Sequence, residues 1–311
     1  MLRIKSTPHQ YGISLQGDYQ DLNVLYESLG RYLEFYQSNG PSLHYHQYEY
    51  LLSLNYDIRH AFMGTRDITC VPNNAEEVGV IAESFFQIPN SSQAEFRRIR
   101  ENFSGGNLYF SVNILYPLVF HYLFTLDSIL DEYLYPNEQT KLPQHWKAYT
   151  SLQANADQAQ LRLLTSLLWN HLTELFGEST AETLYHFFSE KEYFLSAPPV
   201  YIDALLHYQM VHFKKMPPET RKAFHLAGLF EIMGAEELSE EPELFERENS
   251  SYNAALRLLA EQGFNFPSKE TFFDALEKAV PKGQPLYEDT FDHFLEDQYG
   301  MIDDEDREPD W

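Results

Sequence analysis

Beyond about Pro136 every strong apolar pattern in the chain repeats at helical spacing, whereas before it strand-like and helix-like segments alternate. That change of period constrains the fold more than any other feature. Leu161, Leu164, Leu168, Leu172 and Leu175 fall on one face of a helix expected over 156–176. Further helices are expected over 181–188, 200–213, 218–233, 250–262, 269–279 and 287–298. Pro198-Pro199, Pro217-Pro218, Pro267 and Pro281 punctuate them. Proline suits a first helical turn, where its missing N–H would be unpaired anyway.

The first 135 residues read differently. Two short strands, 2–5 and 11–18, meet around Thr7-Pro8. Gly17-Asp18 then opens a helix whose Leu22, Leu25, Leu29, Tyr32, Leu33 and Tyr36 form an apolar face, with Asp18 or Asp21 as its cap. HYHQYEYLLSLNY (44–56) alternates loosely and is rich in aromatics, so its core is expected to be a strand ending at Asp57. DITCV (67–71) reads as another strand, with Cys70 buried in it. A helix is expected over 75–86, a glycine turn and strand over 103–115, and a helix over 116–134 with Pro117 in its first turn. The expectation is an α+β fold: a ββαββαβα domain over 1–138, a helical domain over 146–300, and a disordered acidic tail over 301–311.

Composition sets limits on function. With 43% hydrophobic and 15% aromatic residues, the 311-residue chain can bury one large core or two ordinary ones. No apolar run reaches the length of a membrane span; 115–126, the longest candidate, is interrupted by Pro117 and His121. MLRIKSTPHQ has no apolar signal core, so a cytoplasmic location is expected. A single cysteine, Cys70, rules out an internal disulfide and argues against a thiolate zinc site. The net charge of −25 is uneven. Residues 1–140 carry −8, residues 141–230 are neutral, and residues 231–311 carry −17 from 23 acidic and 6 basic side chains. Such a field repels nucleic acid and anionic lipid and attracts basic surfaces.

LRIKSTPHQYGISLQGDYQDLNVLYESL, LLSLNYDIRHAFMGTRDI and NLYFSVNILYP together resemble an uncharacterised family of bacterial proteins, mostly from Gram-positive species. The resemblance covers roughly residues 1–135. It implies a fold and supplies no catalytic residue.

The densest chemical cluster is NYDIRHAFMGTRD (55–67). His60 oriented by Asp57 would make a general base, with Arg59 or Arg66 holding an anionic substrate. The same residues also make a connector: Asp57 caps a turn, the arginines pair with nearby carboxylates, and Gly64 ends the turn. The connector uses every residue without any chemistry and is preferred. His44 and His46 share a face if extended, and Glu182, His186 and Glu190 line one helix face, as do Asp127 and Asp131. Each set is a weak metal candidate, because such sites draw ligands from several elements. Arg97, Arg98 and Arg100 form the one dense basic run. No phosphate-binding, GxSxG or HExxH motif is present, and no cofactor is expected. In the tail, Asp303, Asp304, Glu305 and Asp306 lead to Trp311, a strip suited to docking in a basic groove through charge, the aromatic ring and the terminal carboxylate.

The function expected from the residues is an acidic interaction protein that binds a basic protein partner, in an immunity, inhibitor or phage-defence accessory role. Direct binding to nucleic acid or membrane is not expected, and the oligomeric state is left open. Two alternatives stand beside it: a hydrolase-type enzyme using Asp57 and His60, and a metal or small-ligand sensor using the histidines.

Overall fold

The computed structural model describes residues 1–39, 45–72, 106–132, 151–190, 198–233, 242–280 and 286–302. Strand β1 (Arg3–Ser6) turns through Thr7–Tyr11 into β2 (Gly12–Gly17). With β3 (Ile68–Pro72) and β4 (Gly106–Leu115) they form an antiparallel sheet in the order β1-β2-β4-β3. The long β4 pairs with β2 through its second half and with β3 through its first. Alternation divides the central pair by face. Ile13 opposite Ile114 and Leu15 opposite Val112 give an apolar side, while Ser14 opposite Asn113 and Gln16 opposite Ser111 give a polar one. Gly12 is required by closeness, since a Cβ there would lie 1.8 Å from the Ile114 carbonyl oxygen.

Helix α1 (Tyr19–Asn39) starts with a reciprocal cap. Asp18 Oδ1 accepts from the Asp21 amide at 2.9 Å, and Asp21 Oδ2 accepts from the Asp18 amide at 3.1 Å. Its Leu22, Leu25, Leu29, Tyr32 and Leu33 are buried, as their spacing predicts. Each fully buried leucine stabilises the fold by about 1.5–3 kcal/mol.

The segment expected as a strand is instead helix α2 (Tyr45–His60). Leu51, Leu54 and Ile58 are buried and recur at intervals of three and four, while Leu52, Ser53 and Tyr56 are exposed. The β-propensity of its tyrosines gives way to the burial of that stripe. A wide π-helical turn, Ala61–Thr65, leads from α2 to β3. Cys70 lies exposed on the β3 edge rather than buried. The expected helix over 75–86, Arg97, Arg98, Arg100 and the tail from Asp303 lie outside the described residues.

The remaining helices are α3 (Tyr116–Glu132), α4 (Ser151–Phe176), α5 (Glu178–Glu190), α6 (Pro199–His212), α7 (Pro218–Met233), α8 (Pro242–Glu261), α9 (Lys269–Ala279) and α10 (Glu288–Tyr299). Pro117, Pro199 and Pro218 all sit in first turns. One hydrophobic core joins the α+β part to the mainly helical part. Helix α4 packs on α1, α3 and β1, and α3 packs on α6 and α7. Asp157 of α4 accepts from Ser28 and Arg31 of α1, and Trp169 Nε1 of α4 donates to Asp127 of α3 at 2.7 Å. Among the described residues, no helix is long and apolar enough to cross a membrane.

Candidate functional site

The Asp57–Asp67 cluster closes the passage from α2 to β3. Asp57 belongs to the last turn of a helix, not to a strand end, and its Oδ1 accepts from Arg66 Nη2 at 2.6 Å across the π-helical turn. The Thr65 hydroxyl donates to the His60 carbonyl at 2.8 Å, and that same oxygen lies 3.0 Å from His60 Nδ1. The hydroxyl proton is already committed to that carbonyl, so Nδ1 is the donor to Thr65. The His60 ring rests on Tyr56, with centroids 4.2 Å apart, and the Arg59 guanidinium lies 5.2 Å from the same Tyr56 ring. Gly64 adopts φ +81°, a left-handed value that glycine accepts freely. Asp67 accepts from Asn113 Nδ2 at 3.1 Å, and its carbonyl accepts from the Ser111 amide, which sets β3 beside β4. Asp57 thus faces Arg66, and His60 faces Thr65. The contacts are those of a connector.

The metal candidates lie largely outside the described residues. His44 lies outside the described residues, as do the side chains of His46, Asp131, His186 and Glu190; Glu182 is exposed on α5. Asp127 serves Trp169. Among the described residues, no group of three or more His, Cys, Asp or Glu side chains is placed to hold an ion.

A buried polar cluster absent from the sequence reading grips the β1–β2 turn. Thr7 closes that turn through its amide and hydroxyl, both bonded to Gly12, and Gln10 takes φ +58°. Arg221 Nη1 of α7 donates to the His9 carbonyl at 2.8 Å, and His225 Nε2 donates to the Gln10 carbonyl at 2.7 Å. Gln209 of α6 donates to the Tyr11 carbonyl. The Tyr116 hydroxyl, fully buried, lies 2.8 Å from His171 Nε2 and 3.3 Å from Ser6 Oγ. Burial pushes His225 down to about 3, lowers His171, and pushes Tyr116 up to about 12, so all three are neutral at physiological pH. This set fastens a turn. Thr7-Pro8 marked the turn in the sequence, but its partners lie about two hundred residues away and left no local signal.

The helical end offers an acidic surface and a cleft. On α10, Phe291, Phe294 and Leu295 are buried, while Glu288, Asp289, Asp292 and Asp297 are exposed. Phe294 and Phe291 meet Phe272 of α9 at 5.8 and 6.5 Å. Glu270, Asp274 and Glu277 are exposed on α9. A cleft of about 720 Å³ opens between α6, α8, α9 and α10. Tyr208, His212, Phe264, Phe266 and Tyr299 supply its rings, and Asn265, Ser268, Thr271 and Gln298 its polar groups. Burial lowers the His212 pKa and raises those of Tyr208 and Tyr299, so the walls are uncharged at neutral pH.

Neither a curated protein nor a solved structure matches the chain. A family model does match, from residue 2 to residue 224, well past the first 135 residues. The match takes in the sheet, α1–α6 and the first part of α7, and stops before the loop and helices that complete the cleft. The chain belongs to the family of that model, described as a domain of unknown function (DUF6904).

Proposed function

We propose that the protein is an interaction module that binds a basic protein partner through its acidic C-terminal helices. The observation that carries this reading is the split of α10 into a buried aromatic side and an outer side bearing Glu288, Asp289, Asp292 and Asp297. Buried phenylalanines hold those carboxylates on a fixed helix, at the end of a region that carries −17. A rigid, single-sign surface raises the encounter rate with a basic partner and rejects acidic ones. The strip from Asp303 to Asp306 and Trp311 extends that charge along the chain. Masking a basic effector, as an inhibitor or immunity protein does, is a use that such a surface serves. No observation favours the hydrolase reading over this one, since Asp57 pairs with Arg66.

The test is capture of partners by the full chain at low salt, followed by affinity measurement with the purified partner. A basic protein should bind near stoichiometry, weaken steeply with salt, and lose at least tenfold in affinity to a D289K/D292K variant. Capture of no basic protein, or affinity indifferent to both salt and the double substitution, would overturn the reading.

A further inference from the structure

We infer that the exposed cationic corner between α6 and α7 is a docking surface for an acidic segment, and that its occupant is the strip Asp303–Asp306 of the same chain. Residues 214–222 hold Lys214, Lys215, Arg221 and Lys222 against one carboxylate, Glu219. In a chain with 47 acidic and 22 basic side chains, that is a local reversal of sign. Packing fixes it in place. A tight turn, Phe213–Lys215, ends α6. Phe213 and Met216 are buried on either side of the two lysines, and the Met216 amide donates to the Phe213 carbonyl at 3.0 Å. Arg221 Nε donates to the same carbonyl at 3.0 Å. With the turn pinned from within, Lys214 and Lys215 are exposed, as is Lys222. Arg221 donates to the carbonyl oxygens of Phe213 and His9, which leave its charge uncancelled, so it adds to the field of the lysines.

The chain itself arrives beside this corner. His207 Nε2 donates to the Gly300 carbonyl at 2.8 Å, and the His212 ring hydrogen-bonds the Tyr299 backbone. A Cβ on Gly300 would lie 3.3 Å from Val211 Cγ1. Residues 299–300 therefore lie against the last turns of α6. Lys215 is four residues beyond Val211, about 6–8 Å along the axis. Asp303 is three residues beyond Gly300, a reach of about 10 Å. Residues 303–310 carry six carboxylates and one cation, Arg307. A single exposed ion pair holds little, but several pairs on a short tether act together at high effective concentration. A basic partner of the kind proposed above must draw the strip away from the corner. That competition rests on the partner reading; the docking itself does not.

The docking is tested on the full chain alone. A carbodiimide joins a carboxylate to an amine where the two meet, and mass spectrometry of the monomer band locates the links. Links from Asp303–Asp306 to Lys214, Lys215 or Lys222 are expected. They should fall at least tenfold in high salt and in a K214E/K215E variant. Adding D303K/D304K to that variant should restore them with the roles exchanged, which separates lost charge from a lost fold. Links spread evenly over the lysines of the chain, links confined to a dimer band, or links indifferent to the charge reversal would each overturn the assignment. Saturation with the captured partner should also reduce the links at least tenfold, and links that persist would overturn the competition. Capture of a basic protein without any links would sink the corner alone. Links without any captured basic protein would sink the partner reading and leave the corner standing.

Discussion

Asp157 is a carboxylate with 1% of its side chain exposed, and four donors surround it: the Ser28 hydroxyl, Arg31 Nε and Nη2, and Gln153 Nε2. Replacing it with alanine leaves those donors without their acceptor, and the partly exposed Arg31 recovers only some solvation. Asp157→Ala is therefore expected to cost about 2–4 kcal/mol in urea unfolding. Arg66→Ala, which removes a half-exposed ion pair, should cost no more than about 1 kcal/mol. Two histidines set a second residue-scale expectation. His121 is 1% exposed, neither ring nitrogen has a hydrogen-bond partner among the described residues, and burial pushes its pKa down to about 4; His225 is pushed down to about 3. Above the ordinary value of 6.5, both are neutral in folded and unfolded chains, and stability gains nothing from further rise in pH. Below it the unfolded chain takes up protons that the folded one refuses, so each histidine removes about 1.4 kcal/mol per pH unit down to its own folded value. Urea midpoints measured from pH 7.5 to 4.5 should fall, and His121→Phe should flatten that fall by about one histidine's share. A slope identical to the parent's would contradict the burial of a neutral His121.

Among the elements, those with one dominant apolar stripe were legible in the sequence. Helix α1 was found from Leu22, Leu25, Leu29 and Leu33, α4 from Leu161 to Leu172, and α9 from the helical spacing that follows Pro267. Helix α2 was not, because Leu51, Leu54 and Ile58 make a short fully buried stripe and Tyr48 and Tyr50 are only partly buried beside it. Exposed Leu52 and Tyr56 blur the 3.6-residue period into something like alternation. The grip on the β1–β2 turn and the cleft were illegible for another reason. Gln209, Arg221 and His225 meet residues 9–11 only after the chain has folded, and four helices contribute to the cleft. The connector after α2 was legible as chemistry, since glycine at Gly64 is what a turn with φ +81° requires. A Cβ there would find its nearest atom, Ile68 Cδ1, at 3.8 Å, so Gly64→Ala strains the backbone without a clash. That substitution should cost about 1–2 kcal/mol in thermal or urea unfolding and leave the circular dichroism spectrum unchanged.

For the whole molecule, the change of pattern near residues 136–146 marks where the described strands stop, but packing continues across it. Asp157 holds Arg31, His171 holds Tyr116, and the turn after β1 hangs from Gln209, Arg221 and His225. Helix α4 covers α1, α3 and β1 at once. A fragment of residues 1–138 would keep every described strand yet expose the apolar faces of α1 and α3 that α4 covers, and would leave buried polar groups without partners. It would lose stabilisation from both sources while still bearing the conformational entropy of its own ordering. The fragment is therefore expected to lack a cooperative urea transition and to bind a hydrophobic dye, as expanded states with exposed apolar surface do. The full chain should unfold in one cooperative step. A fragment that unfolds sigmoidally, with the denaturant dependence expected for its length and no dye binding, would show that the contacts across residues 136–146 join two self-sufficient units. Failure of the fragment would mean that the family's fold is specified only once the helices up to α7 are in place, which agrees with a family match that runs unbroken to residue 224.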